Sequence, residues 1–203
     1  DDQHIENTQF LIEKVKQVVT VCRTLSASPI VLGGAGYSMF PESALAYLEA
    51  DYGVAGEGET AFIDLLTHLH NNEDPSDIPG LYIKGEGSKE SKILCRNLDK
   101  FSLPETSILS ASASQSDEPW IPVQTRRGCA LRCSYCSTST IEGAILRKRS
   151  PEIVSAWLES WVNAGYVNFF FVDNTFNLPP AYARALCRQI LERKLHMNWR
   201  CII

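Results

Sequence analysis

The stretch IPVQTRRGCALRCSYC, residues 121–136, decides how this chain is read. Ile121-Pro122-Val123-Gln124-Thr125 has strand character and delivers the chain to a loop in which Cys129, Cys133 and Cys136 follow at offsets of four and three. Three thiols so close together at the end of a strand can converge on one small object. Structural zinc expects four ligands in paired C-x2-C knuckles. Here the next cysteines are Cys95 and Cys187, and His4, His68, His70 and His196 are equally distant, so zinc would need a fourth ligand brought in by folding. A redox pair of Cys133 and Cys136 leaves Cys129 without a task. An iron–sulfur cluster accounts for all three thiols, and three protein ligands to a four-iron cluster leave one iron open for chemistry.

Outward from the loop, Ser150-Pro151 supplies an N-cap and a first-turn proline for a helix with Ile153, Val154, Trp157, Leu158, Trp161 and Val162 on one stripe, ending near Gly165. VNFFFV, residues 167–172, is apolar apart from one Asn, as a strand covered on both faces should be. Pro180 to Leu195 reads as the next helix and Asn198 to Ile203 as the next strand. Upstream, apolar residues from Ile5 to Leu25 recur at three and four, predicting an amphipathic helix. Ile30-Val31-Leu32 is a short buried strand running into Gly33-Gly34, residues 43–48 suit a helix, 51–55 a strand, and GEGE (56–59) leads into a helix to about His70. This alternation is the rhythm of a parallel α/β sheet. Between them the stretch 80–96 reads as a two-stranded hairpin with a polar turn near Gly85 to Ser91, and 110–119 as a linker. The predicted organisation is residues 1–75, a hairpin and linker over 76–117, and 118–203.

Composition narrows the function. With 203 residues, 44% hydrophobic content and a net charge of −5, the chain has enough apolar material for a packed core and no basic cluster larger than Arg147-Lys148-Arg149, so small-molecule chemistry is favoured and a nucleic-acid partner is not expected. No apolar run reaches the length of a membrane span, and the acidic N-terminus does not resemble a signal peptide, so a cytoplasmic location is expected. Cys22, Cys95, Cys187 and Cys201 are scattered and read as small buried hydrophobes rather than a disulfide framework. The chain opens on Asp1 and stops on an apolar run, and an excerpt of a longer protein is expected.

CALRCSYC matches the C-x3-C-x-aromatic-C signature and so resembles the radical S-adenosylmethionine (SAM) superfamily, with Tyr135 at the aromatic position. The resemblance implies that Cys129, Cys133 and Cys136 hold a [4Fe-4S] cluster, that SAM chelates the open iron, and that reductive cleavage gives a 5′-deoxyadenosyl radical, with flavodoxin or ferredoxin as the electron donor. FFFVDNTFN, residues 169–177, is similar to the corresponding segment of the B12-type branch; it implies a SAM-binding role for Asp173 and Asn174, against which stands helix capping by Asn174 or Thr175. Arg149, with Arg147, is a candidate for the SAM carboxylate or another anion, or else part of a solvated basic turn. Residues 31–62 resemble the second half of the Rossmann-like cobalamin-binding domain of that branch, with Gly33 and Gly34 beside the cofactor's nucleotide tail. The resemblance thus implies an α/β chain: a truncated Rossmann-like cobalamin-binding domain followed by the start of a partial (β/α) radical SAM barrel. It further implies methyl transfer to carbon or oxidative cyclisation; methylthio transfer without cobalamin, and a non-catalytic zinc or redox module, are the alternatives. One feature departs from the branch: the Asp-x-His-x-x-Gly loop of base-off binders has only Asp2-Gln3-His4-Ile5-Glu6-Asn7 as an approximation, which lacks the Gly and lies too near Gly33.

Overall fold

Short apolar runs and helical stripes alternate along the chain, and the computed structural model turns them into two compact units, describing residues 10–89, 91–110, 119–131 and 133–203. One unit takes the residues up to Leu94 with Thr140–Glu142; the other takes Cys95–Ser139 with Gly143–Ile203.

The first unit runs α1 (Leu11–Leu25), β1 (Val31–Leu32), α2 (Ala35–Met39), α3 (Pro41–Leu48), β2 (Tyr52–Val54), α4 (Gly58–Asn71) and β3 (Leu81–Ile83). α3 starts on a first-turn proline, and α4 stops where Asn72 turns left-handed and donates its N–H back to Leu69 O. β1 and β2 pair in parallel, Val31 opposite Tyr52. Leu65 and Leu81 are fully buried in a core with Val54, Ala61 and Ile78, and each such side chain contributes about 1.5–3 kcal/mol by leaving water. The first five residues of the predicted opening helix lie outside the described residues. Of α1 only Val19 is buried and Cys22 is exposed, so the expectation of a buried Cys22 is corrected.

Among the described residues the predicted hairpin over 80–96 does not form. β3 gives its ladder to β2 instead, antiparallel, with Tyr52 opposite Ile83, and the chain then turns back within five residues to a bridge between Ile83 and Gly87. Gly85 and Gly87, at φ 82° and 79°, permit that tighter turn. Of the expected linker, residues 111–118 lie outside the described residues.

The second unit begins with a 3₁₀ turn, Leu98–Lys100, and α5 (Ser107–Ser110), then β4 (Ile121–Val123), β5 (Arg126–Arg127), α6 (Thr138–Glu142, whose last three residues group with the first unit), β6 (Arg147–Lys148), α7 (Pro151–Asn163), β7 (Asn168–Phe171), α8 (Pro180–Glu192) and β8 (Asn198–Cys201). β4, β7 and β8 form one parallel sheet in that order. Parallel neighbours need crossovers, and α7 and α8 provide them. They pack on the sheet through Val154, Leu158, Trp161, Leu186 and Ile190 against Phe169 and Phe171. The lone polar residue of VNFFFV is accommodated across the ladder, where Asn198 Nδ2 donates to Asn168 Oδ1 at 3.0 Å. The antiparallel ribbon of β5 and β6, flanking the cysteine loop, had no signal in the hydrophobic pattern.

Candidate metal centre and its surroundings

The cysteine loop leaves the sheet just past β4, and a buried carboxylate fixes its point of departure. Asp173, two residues beyond β7, is 2% exposed. Its Oδ1 accepts the backbone N–H groups of Thr125 and Arg126 at 2.8 and 3.1 Å, and its Oδ2 accepts the Thr125 hydroxyl at 2.6 Å. Arg126 Nε lies 3.5 Å from Oδ2, and its two terminal nitrogens donate to the carbonyls of Phe176 and Leu178. The guanidinium sits over the rings of Phe176 and Tyr182. Tyr182 donates its hydroxyl to Thr125 O at 3.4 Å, and burial pushes its phenol up to about 12. The strand end and the loop after β7 are thereby tied into one block.

Gly128 then turns at φ 85°, where a Cβ would stand 2.2 Å from Ile145 O, so only glycine fits. Cys129 N–H donates to Gly143 O at 3.1 Å. Beyond it the chain moves outward: Cys129 is half-buried, Cys133 and Cys136 are exposed, and Tyr135 is 90% exposed. Cys136 Sγ lies 3.3 Å from Thr138 Oγ1, which in turn lies 3.4 Å from Asn174 Oδ1. Hydrogen bonds from the Thr138 side chain, then its backbone, hold the Cys136 thiol below its ordinary range. A pocket of about 290 Å³ opens between Cys129 and the loop after β7, lined by Arg126, Gly128, Asn174, Leu178 and Pro179 among others.

Two expectations change here. Asp173 does not present its carboxylate to this pocket; it is turned inward and occupied by Thr125 and Arg126, leaving Asn174 as the polar group at the surface of that strand end. Arg149 is buried and donates to Leu98 O and Phe101 O at 2.7 and 2.6 Å, while Arg147 donates to Cys95 O at 3.0 Å. These buried arginines hold the 95–101 segment in place and are not a solvated basic turn. Arg126 and Thr138 were missed; the only sequence signal for Arg126 is a charge set directly after an apolar strand.

In the first unit, Gly33 and Gly34 follow β1 as expected, Gly34 at φ 90°. Ser38 links them to the second glycine segment: its hydroxyl donates to Gly34 O and accepts Gly56 N–H, both at 2.8 Å. A pocket of about 400 Å³ lies here, lined by Ile12, Val15, Leu32, Gly33 and Tyr37 among others. A Cβ on Gly33 would meet only Val54 O, at 3.8 Å, so packing does not demand the missing side chain. Tyr37 keeps a buried hydroxyl with no hydrogen-bond partner, and burial pushes that phenol up.

The donor set of the loop fits an iron–sulfur cluster in kind: three thiols outside disulfides, with no imidazole or carboxylate between Cys129 and Cys136. Among the described residues no three Cys, His, Asp or Glu side chains are drawn together as a finished metal cage, so the thiols share a loop and would close on a cluster by local movement of its exposed part. The room over Gly33 fits a bulky heterocyclic group in the first unit, whereas the Tyr37 hydroxyl is buried against Gly53, where a Cβ would stand 2.0 Å from it.

A C-x3-C-x2-C loop at the end of the first strand of a parallel β/α sheet is the arrangement for which the radical SAM resemblance calls. No protein-family model matches the chain. Relatives do. The tryptophan 2-C-methyltransferase of Streptomyces laurentii is 24% identical over 236 residues, covering 91% of this chain and 39% of that protein. The structure of the radical SAM methyltransferase TsrM from Kitasatospora setae, solved with tryptophan substrate and a SAM analogue, superposes with a TM-score of 0.76 at 25% identity, covering 91% of this chain and 36% of that one. TsrM has also been solved with cobalamin and a [4Fe-4S] cluster bound. The cobalamin-dependent SAM radical enzyme OxsB shares the fold, with a TM-score of 0.72 at 19% identity over 92% of this chain and 28% of that one. The chain is thus similar to cobalamin-dependent radical SAM methyltransferases over nine tenths of its own length, and it spans less than two fifths of the length of these relatives.

Proposed function

We propose that the whole protein is a cobalamin-dependent radical SAM methyltransferase that methylates carbon in a small molecule. The reading is carried by one observation: three thiols on a loop whose base is locked by Asp173 and Arg126, beside a pocket walled by Cys129 and Asn174. Relatives that bear the name methyltransferase, TsrM with its tryptophan substrate among them, support the choice of reaction. Residues 1–75 are assigned to the cobalamin-binding domain, 76–117 to the connection and 118–203 to the radical SAM barrel.

A [4Fe-4S] cluster held there would supply one-electron reducing chemistry to SAM, and a corrinoid would supply a methyl carrier. Cys129, Cys133 and Cys136 hold the cluster as thiolates. Asn174 holds the amino-acid end of SAM through its amide, and Tyr135 stands beside it at the loop tip. Asp173 and Arg126 keep the strand end and the loop after β7 in register so that the two halves of the site do not drift. Gly33 and Gly34 let the backbone approach the nucleotide tail of cobalamin. The electron comes from a small donor protein such as a flavodoxin or ferredoxin. No helix among the described residues is long and apolar enough to cross a membrane.

The test is anaerobic reconstitution of the whole protein, with iron, corrinoid and SAM binding measured together. About four irons per chain and bound corrinoid are expected. Tight zinc without iron would replace this reading with a structural zinc site, and iron without corrinoid would return it to a radical SAM enzyme of another type.

A further inference from the structure

Lys92 crosses two left-handed glycine turns of the first unit. A Cβ on Gly56, at φ 87°, would stand 2.8 Å from its Cδ, and one on Gly80, at φ 77°, would stand 3.0 Å from its Cβ. The lysine stem thus fills the space that both glycines leave. Its ammonium donates to Thr140 O at 2.5 Å and to Ile141 O at 3.4 Å, carbonyls that the end of α6 leaves without intrahelical partners. Thr140–Glu142 group with the first unit, so the contact lies within that unit. The next residue, Gly143, turns at φ 88°, and its carbonyl accepts Cys129 N–H at 3.1 Å. The cysteine segment is therefore closed at its foot, where Cys129 and Gly143 meet, and Lys92 holds the helix end that leads into that foot. Cys133 and Cys136 are exposed in the part between. A cation suits the C-terminal end of a helix, yet desolvation by burial lowers the Lys92 pKa, so the charge is kept there against a cost.

We infer that Lys92 is a positioning residue for the metal centre: its ammonium pins the end of α6, so that the foot of the cysteine loop stays shut while the exposed part closes on a cluster. The inference rests on the proposed radical SAM reading and adds to it a residue of the first unit. Iron leaves only when the loop opens, and an opening that starts at α6 must first break the bonds from Lys92. The turn beneath the lysine is itself held, because Ser38 accepts Gly56 N–H and donates to Gly34 O. One side chain thereby lets the glycine turns steady the metal loop.

The experiment uses the whole protein, reconstituted anaerobically, as wild type, Lys92→Met and Lys92→Arg. Iron content is measured first, then the rate at which bathophenanthroline disulfonate strips the iron, and separately the denaturant midpoint of the apoprotein. Lys92→Met keeps a stem over both glycines and loses the charge. It should release iron on the order of tenfold faster, the scale of a charged hydrogen bond or an outer-shell contact, or fail to load it, while its midpoint stays unchanged or rises because the desolvated charge is gone. Lys92→Arg restores a cationic donor and should restore slow release. A merely structural residue would not separate iron retention from stability in this way. Release at the wild-type rate from Lys92→Met would overturn the inference and leave the proposed function standing. So would Lys92→Arg releasing iron as fast as Lys92→Met, or a midpoint that falls in step with iron retention. A wild type that takes up zinc and no iron would overturn both.

Discussion

β1 and β4 both run into loops that contain glycine, yet what surrounds each loop differs. After β4 the glycine is compulsory: a side chain at Gly128 would meet Ile145 O at 2.2 Å, and the residues around it, Thr125, Arg126 and Asp173, form a buried polar block. After β1 the two glycines differ: Gly34 turns at φ 90° and so favours glycine, whereas Gly33 is permitted rather than required, with only Val54 O at 3.8 Å from its Cβ position and a pocket beside it. The first loop carries its three cysteines above a rigid buried base. The second has had side chains withheld, which suits a large planar ligand. Constraint by packing and constraint by function are thus separable, and substitution can tell them apart.

The largest effect should come from breaking the block. Asp173→Ala leaves the Arg126 guanidinium buried without its carboxylate and should destabilise the second unit by about 3–5 kcal/mol in denaturant unfolding. A loss below about 1 kcal/mol would show that Arg126 finds water instead, and the contrast between the loops would weaken. Gly128→Ala should follow at about 2–3 kcal/mol, combining a left-handed backbone with a clash against a carbonyl that cannot move freely.

Tyr182 provides a test through pH. Its phenol is pushed up to about 12 by burial, against an ordinary value of 10.0, so the folded state favours the neutral form. The stability this contributes is complete below pH 10 and is lost as pH rises toward 12, up to about 2 kcal/mol. Tyr182→Phe should flatten that alkaline decline, and an unchanged slope would mean that the phenol is not sealed. The smallest effect should be Gly33→Ala, within about 0.5 kcal/mol of the wild type in unfolding. Gly33→Leu, which projects into the pocket, should lower corrinoid retention while leaving the fold intact; unchanged retention would show that the pocket is merely a packing gap.

Much of the α/β alternation was legible because it rests on local periodicity. Val154, Leu158 and Trp161 of the helical stripe and Phe169 and Phe171 of the strand bury as their spacing predicts, whereas Ile153, Val167 and Val172 are exposed and Phe170 is half-buried, so the strand is not covered along its whole length. The hairpin was misread because sequence shows which residues have strand character but not which neighbour takes their hydrogen bonds, and β2 took those of β3. The cysteine loop was visible from spacing alone. Its supports were not, because Arg126 and Asp173 stand 47 residues apart along the chain, and nothing local distinguishes a carboxylate turned inward from one facing a pocket. Arg147 and Arg149 show the same blindness: a basic tripeptide looks solvated until backbone carbonyls from 95–101 are folded over it. Thr138 and Ser38 escaped notice because a single hydroxyl has no pattern; each matters only through what lies on either side of it.

The central claim, that Cys129, Cys133 and Cys136 together hold a cluster with one open iron, is tested most directly by counting metal in the whole protein and its three single Cys→Ala variants after anaerobic reconstitution. The account predicts about four irons per wild-type chain, near-complete loss in each variant, and a change in the reduced-cluster EPR spectrum when SAM is added to the wild type. Zinc at one per chain with no iron, or iron that survives removal of any one of the three thiols, would contradict it.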